Sequence, residues 1–428
     1  MHTPVHIVEV RIWRKAVGAV ALDPKLGYYA FEYQPAFLQS GIELAPLTMP
    51  LANAHEPFVF TDLPELTYRR LPGFLADALP DDFGNALIDA WMAREGVGKP
   101  QITSLDRLAY MGKRGLGALE FKPVRGPKAF KSSTAIEMSE LVESARRAVQ
   151  GDLSTDAHAH AALAQILQVG TSAGGARAKA VVAWNPKTNE IRAGQFDVPA
   201  GFEHWLIKFD GVGVDDRLGV RRDYGRIEYA YHLMARAAGI TMSDCRLLEE
   251  NGRAHFMTKR FDRDGHAKHH LQTLCGLAHL DYRQKATHDV SQLLLAIDRL
   301  RLGYPAMEEA FRRIAFNVMA VNCDDHTKNI SFLMREGGSW ELAPAYDVTH
   351  AFNPKGEWTY QHLMAVNGKF ANISRDDLLL VADRFGIGTG PQVLKQVGEV
   401  IQSWLDFSAQ AHVSPHEAQR IRRHHLVL

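Results

Sequence analysis

The sequence predicts an α+β, bilobal fold, with a small N-terminal α/β subdomain, a strand-rich lobe and a mainly helical C-terminal lobe. Three observations predict it. Short runs of alternating apolar and polar residues dominate the first half, as half-buried strands require. Apolar residues at helical spacing dominate after about residue 266. Strands first and helices afterwards suggest two lobes with a cleft between them.

Residues 6–13 alternate and read as a strand, followed by strands at 17–22 and 27–33. A helical pattern runs through 86–92, and glycines at 112, 115 and 117 punctuate the loop after Leu105-Asp-Arg-Leu-Ala-Tyr-Met111. No catalytic constellation stands out in this part. The stretch Pro123-Val-Arg-Gly-Pro-Lys128 reads as a linker, and a helix is expected over 135–150. Strands follow at 180–184, 205–209 and 254–261, with a helix at 223–238 between the last two. Val290, Leu293, Leu294, Ile297 and Leu300 line one later helix, and Phe311, Ile314, Ala315 and Val318 another. The expected divisions are an N-terminal subdomain over 1–130, a strand-rich region over 131–265, and a helical lobe over 266–428.

Composition narrows the function classes. Of 428 residues 46% are apolar and 23% charged, an ordinary globular balance. Lys plus Arg equals Asp plus Glu at 49 each, so no global field draws the protein to nucleic acid or anionic membrane. The three cysteines, Cys245, Cys275 and Cys323, lack the spacing of a zinc site or disulfide framework. With no leader peptide and no apolar run of bilayer length, the expected location is cytoplasmic, without membrane association.

The strongest local signal is Asn322-Cys-Asp-Asp-His-Thr-Lys-Asn329, directly after the second amphipathic helix. Asp324 precedes Asn329 by the interval that separates the catalytic Asp from the metal-binding Asn in the protein-kinase loop H-R-D-x-x-x-x-N. One short loop can then aim a proton acceptor and a magnesium ligand at the same phosphate. Such residues also cap and brace turns. Asp347 separates the two readings, because it closes Trp340-Glu-Leu-Ala-Pro-Ala-Tyr-Asp347 and supplies a second hard oxygen ligand for magnesium. Lys208 interrupts the apolar strand Trp205-Leu-Ile-Lys-Phe209, and Glu228 on the next helix is its candidate partner, unless the strand is an edge and the lysine reaches solvent. The small-residue loop 170–179 is a candidate phosphate cradle or an ordinary hairpin loop.

Taken in order, these pieces resemble the HipA family of serine/threonine kinases, the toxin halves of HipBA-type modules. The resemblance rests on Ser172-x-x-Gly175-Ala176-x-x-Lys179, the W-L-I-K strand and Glu228. It rests also on Lys259-Arg-Phe-Asp-Arg263, Asp324-x-His-x-Lys-Asn329 and Pro344-Ala-Tyr-Asp347. In the N-terminal part Phe74-Leu-Ala-Asp-Ala-Leu-Pro80 and Arg107-Leu-Ala-Tyr-Met-Gly112 also fit. It implies a protein-kinase-like fold that uses ATP and Mg2+. Asp324 would be the catalytic base, supported by Lys208, Glu228 and His326. Asn329 and Asp347 would hold the metal. Gly175, Ala176, Lys179, Lys208, His326, Asn329 and Tyr346 would line the nucleotide site, Lys259 to Phe261 would form the hinge against adenine, and Asp262 would reach the ribose. Ser172 would be an autophosphorylation site whose added charge switches the enzyme off.

The resemblance further implies a protein substrate such as an aminoacyl-tRNA synthetase, and a HipB-like DNA-binding antitoxin through which DNA is met indirectly. Two other functions share these residues: a nucleotide-sensing co-repressor without catalysis, and a small-molecule phosphotransferase. The loop departs from better-known members in reading Gly-Gly-Ala-Arg-Ala-Lys, and Asp325 adds a carboxylate that the kinase interval leaves to a structural role or a substrate contact.

Overall fold

A computed structural model describes residues 3–80, 82–126, 138–150, 178–195, 198–210 and 223–428. The chain forms two compact units, the first from 1–221, 249–272 and 335–337, the second from 222–248, 273–334 and 338–428.

In the first unit, strands β1 (Ile7–Ile12), β2 (Lys15–Asp23), β3 (Tyr28–Tyr33) and β4 (Leu119–Lys122) form an antiparallel sheet in the order β3-β2-β1-β4. The alternation read from the sequence is the cause: Val8, Val10 and Ile12 of β1 are buried on one face. Trp13 and Arg14, at φ 46° and 66°, make the tight reversal between β1 and β2, matching strand twist as a two-residue hairpin turn must. Helix α1 (Asp82–Arg94) precedes helix α2 (Ser104–Met111), which packs against β1 and β4. Thr103 starts α2 by a reciprocal cap with Asp106, whose carboxylate accepts the Thr103 N–H at 3.0 Å. Buried Arg107 donates to Asn85 Oδ1 at 3.0 Å and also pairs with Asp89, which ties α2 to α1.

The second sheet consists of β5 (Lys179–Trp184), β6 (Ile191–Ala193), β7 (Glu203–Lys208), β8 (Cys245–Glu250) and β9 (Arg253–Lys259), in the order β6-β5-β7-β9-β8. All six residues of β5 are buried, and β7 alternates, with Trp205 and Ile207 inward. Strand β9 stops at Lys259, short of the expected 261, because the next side chains converge on one carboxylate. Asp262 accepts from Arg260 Nε and Nη2 at 2.9 and 2.7 Å, from Arg263 Nη1 at 2.7 Å and from the Gly117 N–H at 2.8 Å. Gly117 is required there: its φ is +72°, and an added Cβ would lie 3.1 Å from the Leu271 nitrogen.

The second unit is mainly helical: α3 (Tyr224–Ala237), α4 (Val290–Arg299), α5 (Tyr304–Met319), α6 (Arg375–Arg384), α7 (Gly390–Gln402), α8 (Trp404–Gln410) and α9 (Pro415–Arg422). The predicted faces are the buried ones, with Leu293, Leu294 and Ile297 inward on α4 and Phe311, Ile314, Ala315 and Val318 inward on α5. Trp404 and Tyr231 are fully buried at its core. Strands β10 (Ser331–Met334) and β11 (Trp340–Leu342) pair antiparallel after α5. Among the described residues no helix is long and apolar enough to cross a membrane.

Candidate active site

The segment 322–329 leaves α5 through a strained corner. Val321 takes φ 55°, a left-handed conformation that a β-branched residue rarely adopts, and Asp347 takes φ 53°. Both are held by backbone pairing: the Cys323 N–H donates to Ala351 O at 3.0 Å, Ala351 N–H to Val321 O at 3.3 Å, and Ala345 N–H to Thr241 O at 2.8 Å. The loop and the segment after β11 thus share one framework.

On that framework Asp324, His326, Asn329, Tyr346 and Asp347 gather. Asn329 Nδ2 donates to the Asp324 carbonyl at 2.7 Å, so its amide oxygen is the atom a metal would take. Asn329 and Asp347 line the same cavity of about 50 Å³ together with Asn322, Asp325 and Tyr346. His326 is buried, its Nε2 3.7 Å from Asp324 Oδ1. Burial pushes the His326 imidazole below its ordinary range, and the nearby carboxylates of Asp324 and Asp347 pull against that shift. Asp324 itself keeps 38% of its side chain exposed.

Asp325 has a different role from its neighbour. It is buried, takes the His362 Nδ1–H at 2.8 Å and accepts the Leu363 N–H at 2.7 Å. Burial would lower the His362 imidazole, but the Asp325 charge and hydrogen bond carry it up to about 10. Asp325 is therefore a brace. Tyr346 also braces: its hydroxyl donates to the Lys328 carbonyl at 2.7 Å and bonds Ser331 Oγ.

In the first unit Lys179 and Lys208 stand directly opposite each other in the antiparallel register of β5 and β7. Lys179 is buried at 2% exposure, and Lys208 lies half-buried with its Nζ 5.7 Å from the centre of the Phe256 ring. Directly opposed residues share a face of the sheet, so both lysines lie on the same side. Lys259 pairs with Glu203 at 2.7 Å. Asp262, expected at the ribose, is enclosed by Arg260, Arg263 and Gly117, which drive its carboxyl far below the usual range against the cost of burial. Phe261 is half-buried beyond the end of β9. Glu228 is buried on α3, in the second unit, whereas Lys208 belongs to the first. Ser172, Gly175 and Ala176 lie outside the described residues.

Among the described residues no group of three or more His, Cys, Asp or Glu side chains is arranged to hold a metal ion. A magnesium ion keeps most of its waters and needs only one or two protein carboxylates or amide oxygens, so Asn329 with Asp347 fits its donor chemistry. Sequence reasoning missed Trp358, whose Nε1–H donates to Asp324 Oδ1 at 2.7 Å, and Tyr282, whose ring centre is 5.2 Å from that of His326. An aromatic residue in a polar loop has no periodic signature.

Two family patterns cover most of the chain. The HipA N-terminal domain matches residues 8–122, and the HipA-like C-terminal domain matches residues 171–420. The chain belongs to the HipA family. Among solved structures it is similar to Shewanella oneidensis HipA, determined with HipB and its operator DNA, at a TM-score of 0.65 and 17% identity over 97% of this chain and 94% of that one. That likeness establishes the fold: the HipA-like α+β class expected from the sequence is the class of this chain. The Helicobacter pylori proinflammatory kinase CtkA is more distant, at a TM-score of 0.34 and 13% identity over 52% of this chain and 85% of that one, and carries no argument. No curated protein matches the sequence.

Proposed function

We propose that this HipA-family chain is an ATP- and Mg2+-dependent serine/threonine protein kinase. The observation that carries the reading is the grouping of Asp324, Asn329, His326 and Asp347 on one strained framework, with Asp324 left partly exposed. In this reading the acceptor oxygen forms a bond to the γ-phosphorus while the bond to the β,γ-bridging oxygen breaks. ADP leaves with that electron pair, and the hydroxyl proton goes to the Asp324 carboxylate. Asn329 and Asp347 would hold the magnesium, which when bound neutralises phosphate charge. Lys179 and Lys208 would take the phosphates.

By analogy with the complex of the Shewanella protein, a HipB-like antitoxin is the proposed partner, with DNA reached through it. The proposed biological role is that of a toxin acting on a protein such as an aminoacyl-tRNA synthetase. Ser172 is its proposed autophosphorylation site. A co-repressor role within such a complex is compatible with catalysis. The small-molecule alternative draws support from the aromatic rings of Tyr282 and Trp358 beside His326.

Incubation with Mg2+ and ATP, followed by phosphopeptide mapping, tests the reading. Phosphate on Ser172 in the wild type and none in Asp324→Asn is expected. Equal labelling of both proteins rejects Asp324 as the base, and turnover to ADP without labelled protein favours a small acceptor.

A further inference from the structure

Residues 352–361 form a strap that the candidate catalytic loop holds at three points. At its start Ala351 exchanges backbone hydrogen bonds with Val321 and Cys323. At its end Asp325 holds His362 Nδ1 at 2.8 Å and the Leu363 N–H at 2.7 Å. Between them the Asn353 N–H donates to Thr359 O at 3.0 Å and closes the loop on itself, and Lys285 Nζ donates to Glu357 O at 2.8 Å. This closure returns Trp358 to the centre, where its indole donates to Asp324 Oδ1 at 2.7 Å. Two consecutive carboxylates therefore grip one strap, Asp325 from the buried side and Asp324 from the partly exposed side.

The contact has a chemical consequence. An indole N–H can only donate, so it fixes Oδ1 as an acceptor and leaves Oδ2 as the oxygen for a hydroxyl proton. A carboxylate 38% exposed would otherwise turn among rotamers and spend part of its time misdirected. The ring adds a wall, its centre 6.2 Å from that of His326, with Tyr282 5.2 Å from the same imidazole. Proton transfer depends on such orientation more steeply than on affinity, because a misplaced base loses the near-attack geometry.

We infer that Trp358 is a positioning residue for Asp324, holding the carboxylate by its indole N–H in the orientation that receives the acceptor proton. This rests on the phosphotransfer reading, and the test separates the two. Trp358→Phe keeps an aromatic ring and removes the donor. With Mg–ATP, its kcat for ADP formation should fall about tenfold or more while KM for ATP stays within twofold, as expected for a lost charge-assisted hydrogen bond. An unchanged kcat, or a fall matched by a rise in KM, overturns the inference. Independently, the indole N–H resonance of Trp358 in the 15N spectrum, assigned by its absence in Trp358→Phe, should move when Asp324 is changed to Ala. A resonance that does not move also overturns it. If wild-type protein forms no ADP while that resonance does move, the phosphotransfer reading fails and the contact stands.

Discussion

Three carboxylates show how surroundings set a role. Asp324 remains 38% exposed, with one oxygen held by Trp358; Asp325 is 8% exposed and paired with His362; Asp262 is 3% exposed and surrounded by two arginines. Their chemistry is the same and their consequences differ. Asp324→Asn should lower phosphate transfer about 10²–10⁴-fold with little effect on folding, because it removes a proton acceptor and no buried partner. Initial rates beside a thermal melt check both parts. Asp262→Asn should instead cost about 3–5 kcal/mol, since it leaves Arg260 and Arg263 buried without their counter-charge. A urea titration reads that loss, and a midpoint equal to wild type would contradict the buried cluster.

At the scale of elements, the register of β5 and β7 is what brings two lysines into opposition. A slip of one residue would send one of them to the other face of the sheet. Opposed like charges weaken a strand pair slightly, so Lys208→Met should leave the unfolding free energy within about 1 kcal/mol of wild type. Turnover with Mg–ATP should fall at least tenfold if the pair serves phosphate. Helix α2 depends on its reciprocal cap in a different way: Thr103→Ala removes the side chain that accepts the Asp106 N–H and should cost about 1–2 kcal/mol by urea titration. The local patterns of these elements were readable. Alternation in β1 and the apolar faces of α4 and α5 follow from period alone, and the Asp324-to-Asn329 interval follows from spacing. The end of β9 was not readable, because a buried ion cluster and not a breaker residue terminates it.

For the molecule as a whole, histidines dominate the response to pH. Burial lowers His255, His270 and His425 to about 4 and His350 to about 3, against an ordinary value of 6.5. For such groups the unfolded chain binds protons first as pH falls. Their contribution is present above pH 6.5 and is lost between 6.5 and the folded values, at up to about 1.4 kcal/mol per pH unit for each group. His255 and His270 belong to the first unit and His350 and His425 to the second, so both units should weaken on mild acidification. His362 has the opposite sign. Raised to about 10, it stabilises fully below pH 6.5, and that stabilisation is lost as pH rises through 10. Melting temperature against pH should fall below pH 6.5. On the alkaline side, His362→Ala should remove part of the decline between pH 6.5 and 10.

The sequence by itself determined the strands and helices with a clear apolar period, the family, and the order of candidate catalytic residues. These are carried by periods of two and 3.6 and by short fixed intervals, which are properties of neighbouring residues. The tertiary structure decided which polar groups remain available for chemistry. Trp358 reaches Asp324 across 34 positions, His362 reaches Asp325 across 37, and Gly117 reaches Asp262 across 145. Whether a carboxylate is a base, a brace or a buried counter-ion depends on the donors that fold against it, and no local pattern specifies where along the chain those donors lie.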